Sequence, residues 1–478
     1  PNESTLRKAL TTSSGLVNYD LQAPAKNLYP FITPLRNRIP RVGGNGGNAT
    51  NWKVILGLTG SGVKSMPWVP EGQRSGRMSY SAVDKSAAYR TLGEEDNVTE
   101  EAINAALGFE DVMATMAMRL LQGTMIKEEF AILGGNANTA LGTPGTPTLS
   151  AAGSGATLPA ATYSVICVAL TLEGLNAGSL AGGLVQVQAI TGADGKSYNL
   201  NGGSSQKSTA ATQAVTLGQT LSASVAPVAG AIGYAWYVGT AGSEKLEKIT
   251  TINSATFAAP LAGTGQAATA ITADCSRNQT LAFDGLLMTS LASGSGAYVK
   301  TMATGTPGTG TPLTAGGRGN VTELDDLLQS MWDNYRCGPT VIFANSQEIK
   351  NITSKVLSNA SGPLLRYEQP SNNPYGIVGN GVVEAYYNPF ALGGGYKIPI
   401  IVHPNLPAGT LLTFCENLPA QYQSNEVPNV AEMKVRKEYQ QTFWPQTTRA
   451  RDCGVYVEET LAVYAPFATG VITNIANG

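Results

Sequence analysis

The chain has 478 residues, too many for one ordinary core and enough for about three domains. Its 31 Lys and Arg against 33 Asp and Glu lack the basic excess of a protein that grips nucleic acid through phosphates. Only 13% of the residues are charged, about half the usual share, so subunit contact is the simplest cover for the remaining surface.

No apolar run approaches the roughly 20 residues that span a bilayer, and Pro1-Asn2-Glu3-Ser4 lacks the basic and apolar regions of a secretory signal. Five cysteines without any CxxC pair read as reduced thiols in a cytoplasmic setting. Residues 1–50, with Pro30, Pro34, Pro40 and the glycines at 43, 44, 46 and 47, cannot bury a core and read as an extended arm. Trp52–Leu56 and Met78–Val83 are strand candidates joined by a long polar loop, a projecting hairpin that needs a partner. Asn97-Val98-Thr99-Glu100 looks like a helix cap. Beyond it, Ile103, Leu107, Ala114, Met118, Leu121 and Met125 recur at helical spacing as far as Leu133, where Gly134-Gly135-Asn136 stops the run. That spacing predicts one helix roughly 50 Å long, its methionines forming a core-facing stripe.

From about 137 to 280 Ala, Gly, Ser and Thr dominate. The segments Thr162–Val168, Leu184–Gln188 and Gly233–Val238 alternate like short strands between turns, which predicts an antiparallel sandwich inserted as a module. The rest is mixed. Val321, Leu324, Leu327, Leu328, Met331 and Tyr335 mark a helix capped at Asn320, followed by a buried strand at Pro339–Ala344 and a helix over 346–358. Lys397–Val402 and Thr410–Phe414 are further strands, and Gly305–Gly319 reads as a flexible loop.

Catalytic and metal chemistry find no foothold. The single histidine, His403, has no nucleophile motif beside it and reads as structural or solvent-facing. One His and five scattered Cys offer no zinc spacing. Asp194-Gly195-Lys196-Ser197 lacks the glycine a phosphate loop needs five positions earlier, where Ile190 stands, and reads as a hairpin turn. Glu94-Glu95-Asp96 and Asp325-Asp326 are placed beside helix starts, where they suit the dipole.

The order arm, long hairpin, spine-like helix, mixed domain resembles the major capsid proteins of tailed bacteriophages, with the Hong Kong 97 fold. Trp68-Val69-Pro70-Glu71-Gly72 resembles the E-loop of that family, and Tyr80 to Leu92 its returning strand. Glu129–Asn136 is similar to the end of the spine helix, and Phe283-Asp284-Gly285-Leu286-Leu287 to the segment that succeeds this helix after a short gap. Arg451–Glu459 and Leu461–Ala468 resemble the closing P-domain strand. The likeness covers about 340 residues outside the insertion. Within the insertion, Tyr234–Gly239 resembles immunoglobulin-like or fibronectin type III modules.

The resemblance implies an α+β capsid fold with an all-β sandwich insertion. Its divisions would be an arm (1–50), an E-loop hairpin (51–92), the spine helix and start of the P-domain (93–136), the inserted sandwich (137–280), a P-domain return and linker (281–319), an A-domain (320–416) and closing A/P-domain strands (417–478). It implies a shell-building subunit, not an enzyme, without cofactor, forming pentamers and hexamers. Portal, scaffold and decoration proteins, non-specific contact with packaged DNA, no membrane contact, and a place in the virion after assembly in the host cytoplasm go with it. Candidate intersubunit contacts are Trp68, Glu71, Arg74 and Arg77 on the E-loop and Arg36 and Arg38 on the arm. Some family members crosslink an E-loop lysine; Lys64 and Lys85 lie near the hairpin here, but no acceptor motif accompanies them. An encapsulin-type bacterial compartment is the alternative, and a secreted β-rich adhesin a more distant one.

Overall fold

The computed structural model describes residues 30–44, 46–59, 68–77, 79–108, 110–317, 319–357, 383–391, 394–419, 422 and 429–478, with backbone alone for 56–59 and 81. Most of the expected arm, and Lys64, lie outside these residues.

In the first region β1 (Arg41–Gly43) precedes β2 (Ala49–Thr59) and β3 (Ser79–Ala88), which pair antiparallel from Ala49↔Ala88 to Thr59↔Ser79. Both strands are longer than expected, and they form a sheet of two with no third strand among the described residues. The returning strand then breaks at Tyr89, and β4 (Arg90–Thr99) enters a different sheet. A short α1 (Glu100–Ala105) follows, with Thr99 Oγ1 accepting from Ala102 N.

The expected continuous helix is therefore split, and only α2 (Val112–Gly134) is long. Two local features account for the break. Gly108 takes φ +80°, a left-handed conformation that ends a helix, and Asp111 recaps the chain by accepting from the N–H groups of Met113 and Ala114. Its 23 residues span about 35 Å rather than 50. The methionine stripe also divides, with Met116 buried and Met118 61% exposed. Glu94, Glu95 and Asp96 sit in strand β4, not at a helix start. There Glu94 pairs with Lys127 and Glu95 accepts from the Tyr456 hydroxyl.

The second region holds β5 (Thr148–Ala152), β6 (Ala161–Leu170), α3 (Leu172–Ala177), β7 (Val187–Thr191), β8 (Ser197–Asn201), β9 (Ala211–Val215), β10 (Thr220–Ser224), β11 (Gly233–Gly239), β12 (Lys245–Thr250) and β13 (Ser254–Phe257). Sheets β13-β10-β5 and β12-β11-β6-β9 enclose one apolar core. Tyr163, Val165 and Cys167 of β6 point into it, while Ile166, Val168 and Leu170 pack on a second cluster with Leu184 and Ile271. A sheet covered on both faces needs apolar residues at successive positions, which is why β6 reads as a continuous run. Leu184 reaches that cluster from outside any strand, so the strand expected at Leu184 begins at Val187. Helix α3 has no counterpart among the expected elements. The turn at Asp194–Ser197 does close the β7–β8 hairpin, with Gly195 at φ +76°.

The two ends of this region meet. Gly285 N donates to Gly135 O at 2.8 Å, and Asn278 N to Asn136 O at 2.8 Å. The backbones approach so closely that a Cβ on Gly285 would stand 2.7 Å from Ala131 O. Residues 136–284 thus leave the chain path and return to where they left it.

The third region carries α4 (Leu286–Leu291), β14 (Tyr298–Thr301), α5 (Thr322–Tyr335), β15 (Val341–Ala344), α6 (Ser346–Leu357), β16 (Ala385–Asn388), β17 (Tyr396–Val402), β18 (Leu411–Phe414), β19 (Ala431–Phe443), β20 (Ala450–Val463) and β21 (Thr469–Thr473). One sheet runs β14-β21-β18-β15-β17-β16, and β1-β19-β20-β4 forms the other. Helix α5 begins without a side-chain cap, because Asn320 turns its amide to Asp325 instead. The glycine-rich loop is pinned rather than free, since Thr311 bridges Ile475 and Ala315 bridges Val321. All five cysteines are buried free thiols, and no described helix is long and apolar enough to cross a membrane.

Candidate assembly interface

Consecutive glutamates on α2 hold the arm. Glu129 accepts from Leu35 N at 2.9 Å, Arg36 N at 2.6 Å and His403 Nε2 at 2.8 Å. Asn405 N donates to the other ring nitrogen, Nδ1. That fixes the proton on Nε2 of a neutral imidazole, so His403 is structural and fully buried. Glu128, also fully buried, accepts from Arg36 Nε at 2.7 Å, from Arg41 and from the Tyr439 hydroxyl. Arg41 reaches on to Glu459 at 3.0 Å and Glu438 at 3.1 Å, while β1 lies parallel to β19. Five separated stretches of chain meet in one charged cluster.

Burial opposes every charge here. For Arg41 the carboxylates of Glu128 and Glu459 outweigh that cost and raise its pKa. Glu459 gains less. Burial and the nearby Glu128 charge push its carboxyl up to about 8 despite Arg41, and its Oε1 has no hydrogen-bond partner. The Tyr439 hydroxyl is likewise pushed up, by burial and by Glu128.

The expected arm contacts fall into this scaffold. Arg36 is held by Glu128 and Tyr439, and Arg38 pairs with Glu416 at 2.7 Å. Both guanidiniums are thus engaged within the chain. The residues of the expected E-loop stand differently. Trp68 is 86% exposed, and Glu71, Arg74 and Arg77 are exposed with it. Among the described residues the structure brings them to no partner of their own chain. Ile55 and Tyr80 on the hairpin strands are each 58% exposed.

Sequence reading missed Glu128, Glu129, Arg41, Tyr439 and Glu459. Glu128-Glu129, set between the apolar runs of the helix before Phe130-Ala131-Ile132-Leu133, was the available signal, because unpaired carboxylates are not left on a core-facing turn.

The second region is also bolted down. Asn253 N donates to Asn474 Oδ1 at 2.7 Å, and Asn474 Nδ2 donates back to Asn253 Oδ1 at 3.1 Å. Asp284 accepts from Ala137 N at 2.7 Å and Asn138 N at 3.0 Å. Among the described residues no group of His, Cys, Asp and Glu is arranged to hold a metal.

No family model and no curated protein matches the chain. Solved structures do. The capsid of cyanophage A-1(L) is 12% identical with a TM-score of 0.42, covering 98% of this chain and 99% of that one. The capsid of the empty GTA particle is 10% identical with a TM-score of 0.43, covering 98% and 99%. The SrpI encapsulin of Synechococcus elongatus is 10% identical with a TM-score of 0.41, covering 98% and 97%. The likeness spans the whole chain but is loose in detail.

Proposed function

We propose that this chain is the major capsid protein of a tailed bacteriophage, a structural subunit that assembles with its own copies into an icosahedral shell around double-stranded DNA. One observation carries the reading. The β2–β3 hairpin, with paired strands of 11 and 10 residues, forms a sheet of two and exposes Ile55, Tyr80 and Trp68. A two-stranded hairpin is marginal in water on its own, and large exposed apolar side chains grouped on one projection mark an interaction surface. The subunit is incomplete alone, and further copies of itself are the simplest completion.

The arm locked to α2, the sheet β1-β19-β20-β4 and the six-stranded sheet supply the arm, spine, P-domain and A-domain of this reading. Residues 137–280 form an inserted, immunoglobulin-like domain whose meeting ends support that role. The insertion offers its surface to decoration proteins, while portal and scaffold contacts belong to the main body. DNA contact is loose, given the net charge of −2.

Negative-stain electron microscopy with size-exclusion chromatography tests the proposal. Closed shells or capsomer rings are expected. Small shells holding co-purified protein cargo would indicate an encapsulin-type compartment instead, and a monomer that never assembles, whatever the salt or scaffold, would refute both.

A further inference from the structure

The second region is attached to the body at two places that use different residues. At the stem, Asn136 O accepts from Asn278 N and Gly135 O from Gly285 N, and Leu172 and Ile232 enter the main core beside Ile132 and Leu286. At the other place Asn253, between β12 and β13, meets Asn474, which directly follows β21. Asn253 N donates to Asn474 Oδ1, and Asn474 Nδ2 donates to Asn253 Oδ1 and, at 2.7 Å, to Met302 O. Asn253 Nδ2 in turn donates to Val225 O and to Thr304 Oγ1, each at 2.7 Å. Both residues are buried. Each side-chain amide thus spends both of its N–H groups and its oxygen within this cluster. Asn474 also takes φ +63°, a left-handed conformation that asparagine tolerates better than most residues.

We infer that Asn253 and Asn474 form a clasp that fixes the direction in which residues 136–284 stand on the body. Units joined by short connections move relative to each other by default, and rocking about a single root is the motion a few hinge residues absorb. A second attachment, made by other residues, removes that freedom. Opening the clasp bares two buried amides together with the carbonyls of Val225 and Met302, and buried polar groups are rarely left unmet. The bonds share their donors and acceptors, so they open as a unit. The body side of the clasp is itself held, since Met302 N donates to Thr473 O and Ile475 N to Gly409 O. The glycine-rich loop lies against the second region as well, where a Cβ on Gly308 would collide with Thr256 of β13. The inference goes beyond the capsid reading and does not depend on it.

The test reads the direction of the second region in the full chain. Leu217→Cys on the second region and Leu107→Cys on the body, at positions 77% and 84% exposed, carry spin labels, while the native cysteines are buried. Labelled chains are diluted into unlabelled ones, so that pulsed electron paramagnetic resonance reads distances within one chain. A single narrow distance distribution is expected. Asn474→Gly keeps the left-handed backbone and deletes the amide. It should broaden the distribution and speed hydrogen exchange of residues 251–257 at least about tenfold. A broad distribution in the native chain, or a narrow one that Asn474→Gly leaves unchanged, overturns the clasp. Should Asn474→Gly fail to fold, Thr304→Val decides, because it removes a single bond of the cluster. Faster exchange of residues 251–257 in that variant supports the clasp, and native exchange overturns it. Shell formation, the test of the capsid reading, is scored separately from all of these outcomes.

Discussion

The arm and the hairpin are adjacent in sequence and opposite in design. Between Thr33 and Gly43 backbone and guanidinium groups find partners on α2, β19 and β20. Between Trp68 and Arg77 the side chains point into solvent. The first segment is completed by its own chain, and the second, on the proposed capsid reading, is left for another copy. A subunit that must be stable before assembly and adhesive during it needs both kinds of surface. The contrast lies in where the partners are, since each segment carries arginines and apolar side chains.

The sharpest way to break the comparison is to remove the anchor of the arm. Glu128→Ala leaves Arg36, Arg41 and the Tyr439 hydroxyl buried without their shared carboxylate, and loss of one partner in a buried ion pair costs about 3–5 kcal/mol. Denaturant unfolding of the unassembled subunit should show that loss, and an unchanged midpoint would mean that the cluster contributes nothing. Next in size is Leu35→Ala. Leu35 is 0% exposed, and truncating a buried leucine costs about 2–5 kcal/mol. A cost near zero would show that the arm rests on the body without packing into it.

The hairpin was legible because alternation and turn residues are local signals, and so were α5, α6 and β15, each a short amphipathic or apolar run. The junction was not legible. Its members, Arg41, Glu128, His403, Tyr439 and Glu459, are scattered over some four hundred residues, and apart from the helical setting of Glu128 nothing local distinguishes them from solvated groups. Helical spacing also ran across Gly108 without seeing that Asp111 restarts the helix. Leu184 misled for a different reason, because it is buried from a loop, where periodicity has no meaning.

A smaller effect sharpens the account of the junction. Burial and the Glu128 charge lift Glu459 from its usual 4.5 to about 8. A raised carboxyl pKa means that the folded chain holds this proton more tightly than the unfolded chain does. The associated stability is complete below about 4.5 and is lost as pH rises through about 8. Glu459→Gln imitates the protonated side chain, so its melting temperature should exceed that of the native chain above that window, with the gap closing toward the acid end. A gap that widens on acidification would mean that the ionised carboxylate, through Arg41, is the stabilising form.

The smallest stability effect is expected at the most exposed large apolar residue among those described. Trp68→Ala removes a side chain that is 86% exposed, and such surface changes fall within about 0.5 kcal/mol. The unassembled subunit should therefore unfold at nearly the native denaturant midpoint, although the same substitution removes the largest apolar side chain that the hairpin offers to another copy on the proposed capsid reading. Stability and assembly separate at this position, whereas at Glu128 and Leu35 they fall together. A large destabilisation of the isolated Trp68→Ala subunit would place the indole in an intrachain contact. The division between a self-completed arm and a neighbour-completed hairpin would then fail at its most exposed point.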